Sequence, residues 1–190
     1  MLAVCLAILA GAGADRALGA DANETALLYK QGVSALEEGN AALARESFAE
    51  VLRRNPRHTR ARIQLDRMRG RGGELAALKR KNQLKKIKIP KVDYDEVSLP
   101  EALEALGIEI SNATEGKFIP NFIVQDPGKH LERRPVSLRL NNVPASVVLK
   151  HLLSLADAKE RYDEYAIIIR PLNTRSSQPV TPTTGLEGAQ

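Results

Sequence analysis

Residues 136–156 read VSLRLNNVPASVVLKHLLSLA. In the first half Val136, Leu138 and Leu140 alternate with Ser137 and Arg139, the period of a strand with one buried face. In the second half Val148, Leu149, Leu152, Leu153 and Leu155 return at helical spacing. The seam between them predicts a turn at Asn141-Asn142 and a helix starting at Pro144, whose missing N–H costs nothing in a first turn. Val136, Leu138 and Leu140 are then expected to face the core that Val148, Leu152 and Leu155 cover. Ser137, Arg139, Lys150 and His151 are expected to face out.

A second corner of the same kind lies upstream, in VSLPEALEALGIEI, residues 97–110. Ser98 is a good N-cap, and Glu101 three residues on completes a capping box. Leu99, Leu103, Leu106 and Ile110 make the apolar stripe of the helix. Val97-Ser98-Leu99-Pro100 echoes Asn141-Asn142-Val143-Pro144, a cap-forming residue, then an aliphatic, then Pro. The echo predicts two similar strand-to-helix corners on one sheet, with both helices on one face. Three further strand signals complete the region. IKIPKVDY carries Pro90, which points to a sheet edge or a bend. NFIVQ, residues 121–125, is a short strand, and ERYDEYAIIIRP reads as a hairpin turning at Asp163-Glu164. The expected order over residues 87–171 is β-α-β-β-α-β-β, a small α+β domain. The loop from Asp126 to Arg134 is expected to be exposed.

Residues 87–171 resemble the short N-terminal domain shared by secretins and TonB-dependent receptors. Val136, Leu138, Leu140, Val143, Pro144, Leu149, Leu152, Leu153, Ile167 and Ile169 carry the resemblance, with DYDEVSLPEALEAL upstream. These are packing residues, so the resemblance implies a fold and a docking role and no chemistry.

Residues 22–70 read as helical. Within them Leu28, Gly32, Ala35, Gly39, Ala44, Phe48, Val51 and Pro56 fall where a tetratricopeptide unit places its large, small and breaker residues, so residues 25–58 resemble one such unit. TRARIQLDRMRG then has room for one capping helix. A lone unit leaves an apolar face in need of a partner domain or protein. Residues 71–86 read as a basic linker or short helix, and residues 172–190, with Pro179 and Pro182, as a disordered tail.

Residues 1–20 suit a secretory signal, with an uncharged run from Leu2 to Ala14 and cleavage expected near residue 14 or 20. No Lys or Arg precedes that run. The single cysteine, Cys5, lies inside it, so export leaves a mature chain with no thiol chemistry and no disulfide. The expected location is periplasmic or associated with the outer membrane.

The chain has 190 residues and a formal charge of +5. From Arg53 to Lys91 fifteen Lys or Arg stand against Asp66 and Glu74, a local excess of 15 − 2 = 13, so the remainder is acidic. Lys79, Arg80, Lys81, Lys85 and Lys86 are the candidate contacts for an anionic partner. For an exported chain that partner is an acidic envelope surface, and nucleic acid is not expected. For a cytosolic chain it is nucleic acid, without base stacking, because no aromatic residue is interleaved. No catalytic constellation is present. His58, His130 and His151 have no metal-ligand spacing, no serine sits in G-x-S-x-G, and GRGG lacks the G-K-[ST] ending of a phosphate loop. No enzyme activity, metal or cofactor is expected. The leading expectation is a non-enzymatic, exported interaction or scaffold module, with an envelope protein such as a secretin or pilus component as partner. The alternative is a cytosolic nucleic-acid-binding protein acting through residues 53–91.

Overall fold

The computed structural model describes residues 12–172, with side chains from residue 22 onward. Residues 1–11 of the expected signal segment and residues 173–190 of the expected tail lie outside the described residues.

The chain is α+β, helical first and mixed afterwards. Four helices come in succession: α1 (Ala12–Glu37), α2 (Ala41–Arg54), α3 (Thr59–Met68) and α4 (Gly72–Lys86). Each break has a local cause. Gly39 takes a left-handed φ of 78° between α1 and α2, which glycine adopts without steric cost. The Asn40 side chain then accepts from Leu43 N and caps α2. His58 caps α3 by accepting from Ala61 N at Nδ1, 3.1 Å away. Gly32 is small for a reason that the hairpin makes plain. A Cβ there would sit 2.6 Å from Cε1 of the fully buried Phe48. Phe48, Ala35, Ala44, Val51, Ala61, Met68 and Leu75 form one apolar cluster.

The second half runs β1 (Lys88–Ser98), α5 (Leu99–Ala113), β2 (Phe122–Val124), β3 (Pro135–Pro144), α6 (Ala145–Leu155), β4 (Ala158–Tyr162) and β5 (Ile167–Pro171). This is the expected order. The arrangement differs from expectation, because the strands form two sheets and not one. Long β1 pairs antiparallel with β3, from Lys88 opposite Pro144 to Ser98 opposite Pro135. Short β2 pairs parallel with β5, and β4 pairs antiparallel with β5. Helices α5 and α6 pack on each other, and each touches both sheets. The physical reason lies in α6, where Val148 and Leu152 make one apolar stripe and Leu149 and Leu153 an adjacent one, all buried. A helix apolar over that much of its circumference must be covered from more than one side.

The opening corner also differs in detail. Asn141-Asn142 do not end the strand, since β3 continues through them to Pro144. Asn142 takes φ +52° within the strand, a left-handed conformation that asparagine tolerates. Pro144 is the N-cap of α6 and not its first-turn residue. The true counterpart upstream is Glu96, with φ +50°, two residues before the Ser98 cap. The echo therefore aligns Glu96-Val97-Ser98 with Asn142-Val143-Pro144, two residues away from the Leu-Pro and Val-Pro match. The capping box at Ser98 and Glu101 is present. Leu155, expected in the core, is exposed as the last residue of α6.

The expected basic linker is a regular helix, α4, that seats in both halves. Leu75 belongs to the hairpin cluster, while Leu84 is fully buried in the larger cluster between the sheets. Asn82 donates to Glu37 O at the end of α1, and Arg80 donates from Nη1 to the carbonyls of Asp163 and Glu164, each at 2.8 Å.

Candidate interaction surfaces

In the second half, β2 presents an unpaired outer edge. Asn121 O accepts from Ile167 N, and Gln125 N donates to Ile169 O, both at 2.8 Å. Together with the pairing of Ile123 to Ile168, this places residues 121, 123 and 125 in the parallel ladder. The N–H and C=O groups of Phe122 and Val124 then face away from β5. β2 is the terminal strand of its sheet, and no other strand among the described residues takes those groups.

Beside that edge lies an open cleft of ≈ 520 Å³, walled by α5 through Leu103, Glu104, Gly107 and Ile108 and on the other side by Ile119 to Phe122 and Val124. Ile119 is 70% exposed, Ile108 57% and Ile123 41%. Three large aliphatics around an unpaired strand edge are a combination that folded chains usually cover or charge. The strand and its flanks, Asn121 to Gln125, carry no charge. Pro90, expected at an edge or bend, is exposed in β1, which belongs to a two-stranded sheet and so is an edge strand.

The five basic candidates are not brought together. On α4, Lys81 and Lys85 are one turn apart on one side, while Lys79 and Lys86, seven residues apart, lie on roughly the opposite side. Arg80 is occupied by the Asp163 and Glu164 carbonyls. Lys81 sits 5.8 Å over the Tyr162 ring, a cation–π contact. Lys86 pairs with Glu38 at 3.0 Å. Lys79 and Lys85 are exposed. Elsewhere in the basic belt Arg54 pairs with Glu24 and Glu50, Arg53 with Glu50, Arg71 with Glu74, and Lys91 with Asp93. Hydrogen bonds from Arg53 and Arg54 hold the Glu50 carboxyl well below its ordinary value, at about 2.

A smaller cleft of ≈ 290 Å³ lies against the loop expected to be exposed, lined by His130, Leu131, Arg133, Arg134, Ala156, Asp157 and Pro171. The loop is exposed apart from half-buried Asp126 and buried Leu131. Arg134 pairs with Asp157 across this cleft. His58 is engaged as a helix cap, and His130 and His151 are exposed. Among the described residues no group of three His, Cys, Asp or Glu is placed to hold a metal ion, and no helix is long and apolar enough to cross a membrane.

The β2 edge was not foreseen from sequence. One signal was available, since Ile108 stands off the Leu99–Leu103–Leu106–Ile110 stripe on a helix that otherwise segregates its apolar residues. Which strand would be terminal was not readable, because it depends on the long-range β2–β5 pairing. No family model, curated protein or solved structure matches the chain.

Proposed function

We propose that the chain is a non-enzymatic interaction module of the cell envelope, which takes an extended segment of a partner protein along β2. The observation that carries this reading is the unpaired edge of Phe122 and Val124 beside the cleft that Ile108 and Ile119 line. Strand addition supplies main-chain hydrogen bonds at such an edge, and an apolar cleft selects alternate side chains. Support also comes from the resemblance of residues 87–171 to the short N-terminal domain of secretins and TonB-dependent receptors, and of residues 25–58 to a tetratricopeptide unit. Both suit an assembly role near a secretin- or pilus-type system. The uncharged run from Leu2 to Ala14 favours export to the periplasm or outer membrane. The nucleic-acid reading loses weight with the dispersal of Lys79, Arg80, Lys81, Lys85 and Lys86 around α4, because a phosphate backbone is best met by a continuous basic face.

Val124→Pro tests the proposal. The Val124 N–H is outside the β2–β5 ladder, so proline removes a free-edge donor and leaves the sheet bonds in place. The full-length variant is expected to keep the wild-type circular dichroism and to lose capture of its envelope partner by in-cell crosslinking from residue 119. A crosslinked species of equal yield in wild type and variant would overturn strand addition.

A further inference from the structure

The face of α3 opposite its packing side carries Arg60, Ile63 and Arg67, at i, i+3 and i+7. Ala61 and Met68 face the hairpin core, and Ile63 is left 43% exposed. Arg60 and Arg67 are exposed and belong to no ion pair among the described residues. On α5, Glu104 and Ile108 stand one turn apart, both exposed, and Glu104 likewise has no ionic partner among the described residues. One surface is apolar and basic, the other apolar and acidic, and the two lie on one chain.

Their spacings also correspond. Ile63 to Arg67 and Glu104 to Ile108 are each four residues, about 6 Å along a helix axis. With α3 laid antiparallel on α5, Ile63 meets Ile108 while Arg67 meets Glu104. In that register Arg60, three residues before Ile63, falls beside Ser111, three residues after Ile108, in the last turn of α5. That turn has no basic side chain of its own, so Arg60 would meet the negative end of the α5 dipole. The antiparallel direction thus satisfies the apolar pair, the ion pair and the helix terminus together.

We propose that α3 of one copy docks on α5 of the next, so that the protein self-associates head to tail. Because the two surfaces differ, each docked pair keeps one of each free, and the contact propagates as a ring or a filament. This rests on reading the α5–β2 cleft as a docking site and names the occupant of its α5 wall. With the α5 wall filled, an extended segment at β2 is held by the Phe122 and Val124 main-chain groups and meets only the Ile119 to Phe122 side of the cleft.

The test is sedimentation of the full chain over a range of concentrations, at low salt and at 1 M salt, where the screening length falls to about 3 Å. Wild type is expected to associate with rising concentration and to dissociate at high salt. Arg67→Glu and Glu104→Arg each place like charges across the contact and should weaken association by about tenfold or more. An equimolar mixture of the two variants should recover it. The acid introduced at position 67 of one variant then meets the base introduced at position 104 of the other, and at the next contact native Arg67 meets native Glu104. Val124→Pro should associate as wild type, so this inference and strand addition at β2 stand or fall separately. A wild type that stays monomeric at low salt, single variants that associate as wild type, or a mixture that does not recover would each overturn the proposal.

Discussion

Tyr94 on β1 and Glu109 on α5 hold two buried oxygens, the Tyr94 hydroxyl and Glu109 Oε2, that make no hydrogen bond of ordinary length. Burial is the largest cause raising both groups above their ordinary values, and for Tyr94 the nearby Glu109 adds to it. The sign follows for stability. The folded state holds the Glu109 proton more tightly than the unfolded chain, so the carboxyl is tolerated when neutral and destabilises when charged. Stability from this group is present below the ordinary value of 4.5 and is lost as pH rises through the raised folded value. Glu109→Gln keeps the shape and removes the charge. It is expected to be more stable than wild type at pH 7 and equal to it at pH 4, read from urea midpoints. A gap independent of pH would place the effect elsewhere. The residue type was visible in the sequence, but its burial was not, because Glu109 sits beside Ile110 at the rim of the α5 stripe and only the seating of β1 covers it.

At the scale of elements, the α1–α2 turn and α4 are locked through one glycine. Gly39 has φ +78°, and a Cβ there would also run into Lys79 N and Leu75 O of the α4 backbone. Gly39→Ala is therefore expected to cost more than the about 1–3 kcal/mol of left-handed strain alone, measured by denaturant unfolding. A loss below about 1 kcal/mol would mean that α4 moves away freely. The turn itself was legible, since Gly39-Asn40 interrupts two apolar periodicities. The second constraint was not, because α4 lies more than thirty residues further on. The strand-to-helix corners show the same division. Ser98 and Glu101 state their own capping box, a local device read within four residues. Asn142 states only that a left-handed residue is tolerated, and the β1 partner strand decides that the chain continues extended instead of turning.

For the whole molecule, the decisive contact is α4 between two apolar clusters. Leu75 serves one and Leu84 the other, with Asn82 tied to α1 and Arg80 to the β4–β5 connection. The halves are thus expected to unfold together. Leu84→Ala removes a fully buried side chain and is expected to cost about 2–5 kcal/mol. Amide exchange should then quicken in α1 and α2 as well as in β3. Quickening confined to the sheets would show two independent units. Charge is distributed on the same scale, with the basic residues on α2–α4 and the acidic α5 in the other half. A uniformly mixed surface would give no basis for head-to-tail contact.

The α+β class, the order of the strands and helices after residue 87, the helical hairpin before it, and the caps and glycines at their ends are all legible in the chain's residues alone. Each of these rests on interactions within a few residues, so periodicity and capping chemistry suffice to read them. The division of the strands into two sheets, the joining of the halves by α4, the divergent directions of its basic residues, and the unpaired β2 edge beside exposed isoleucines arise only in the folded molecule. Strand partners and helix orientations are chosen by which apolar faces meet across long stretches of chain, and that choice is made by the packed whole.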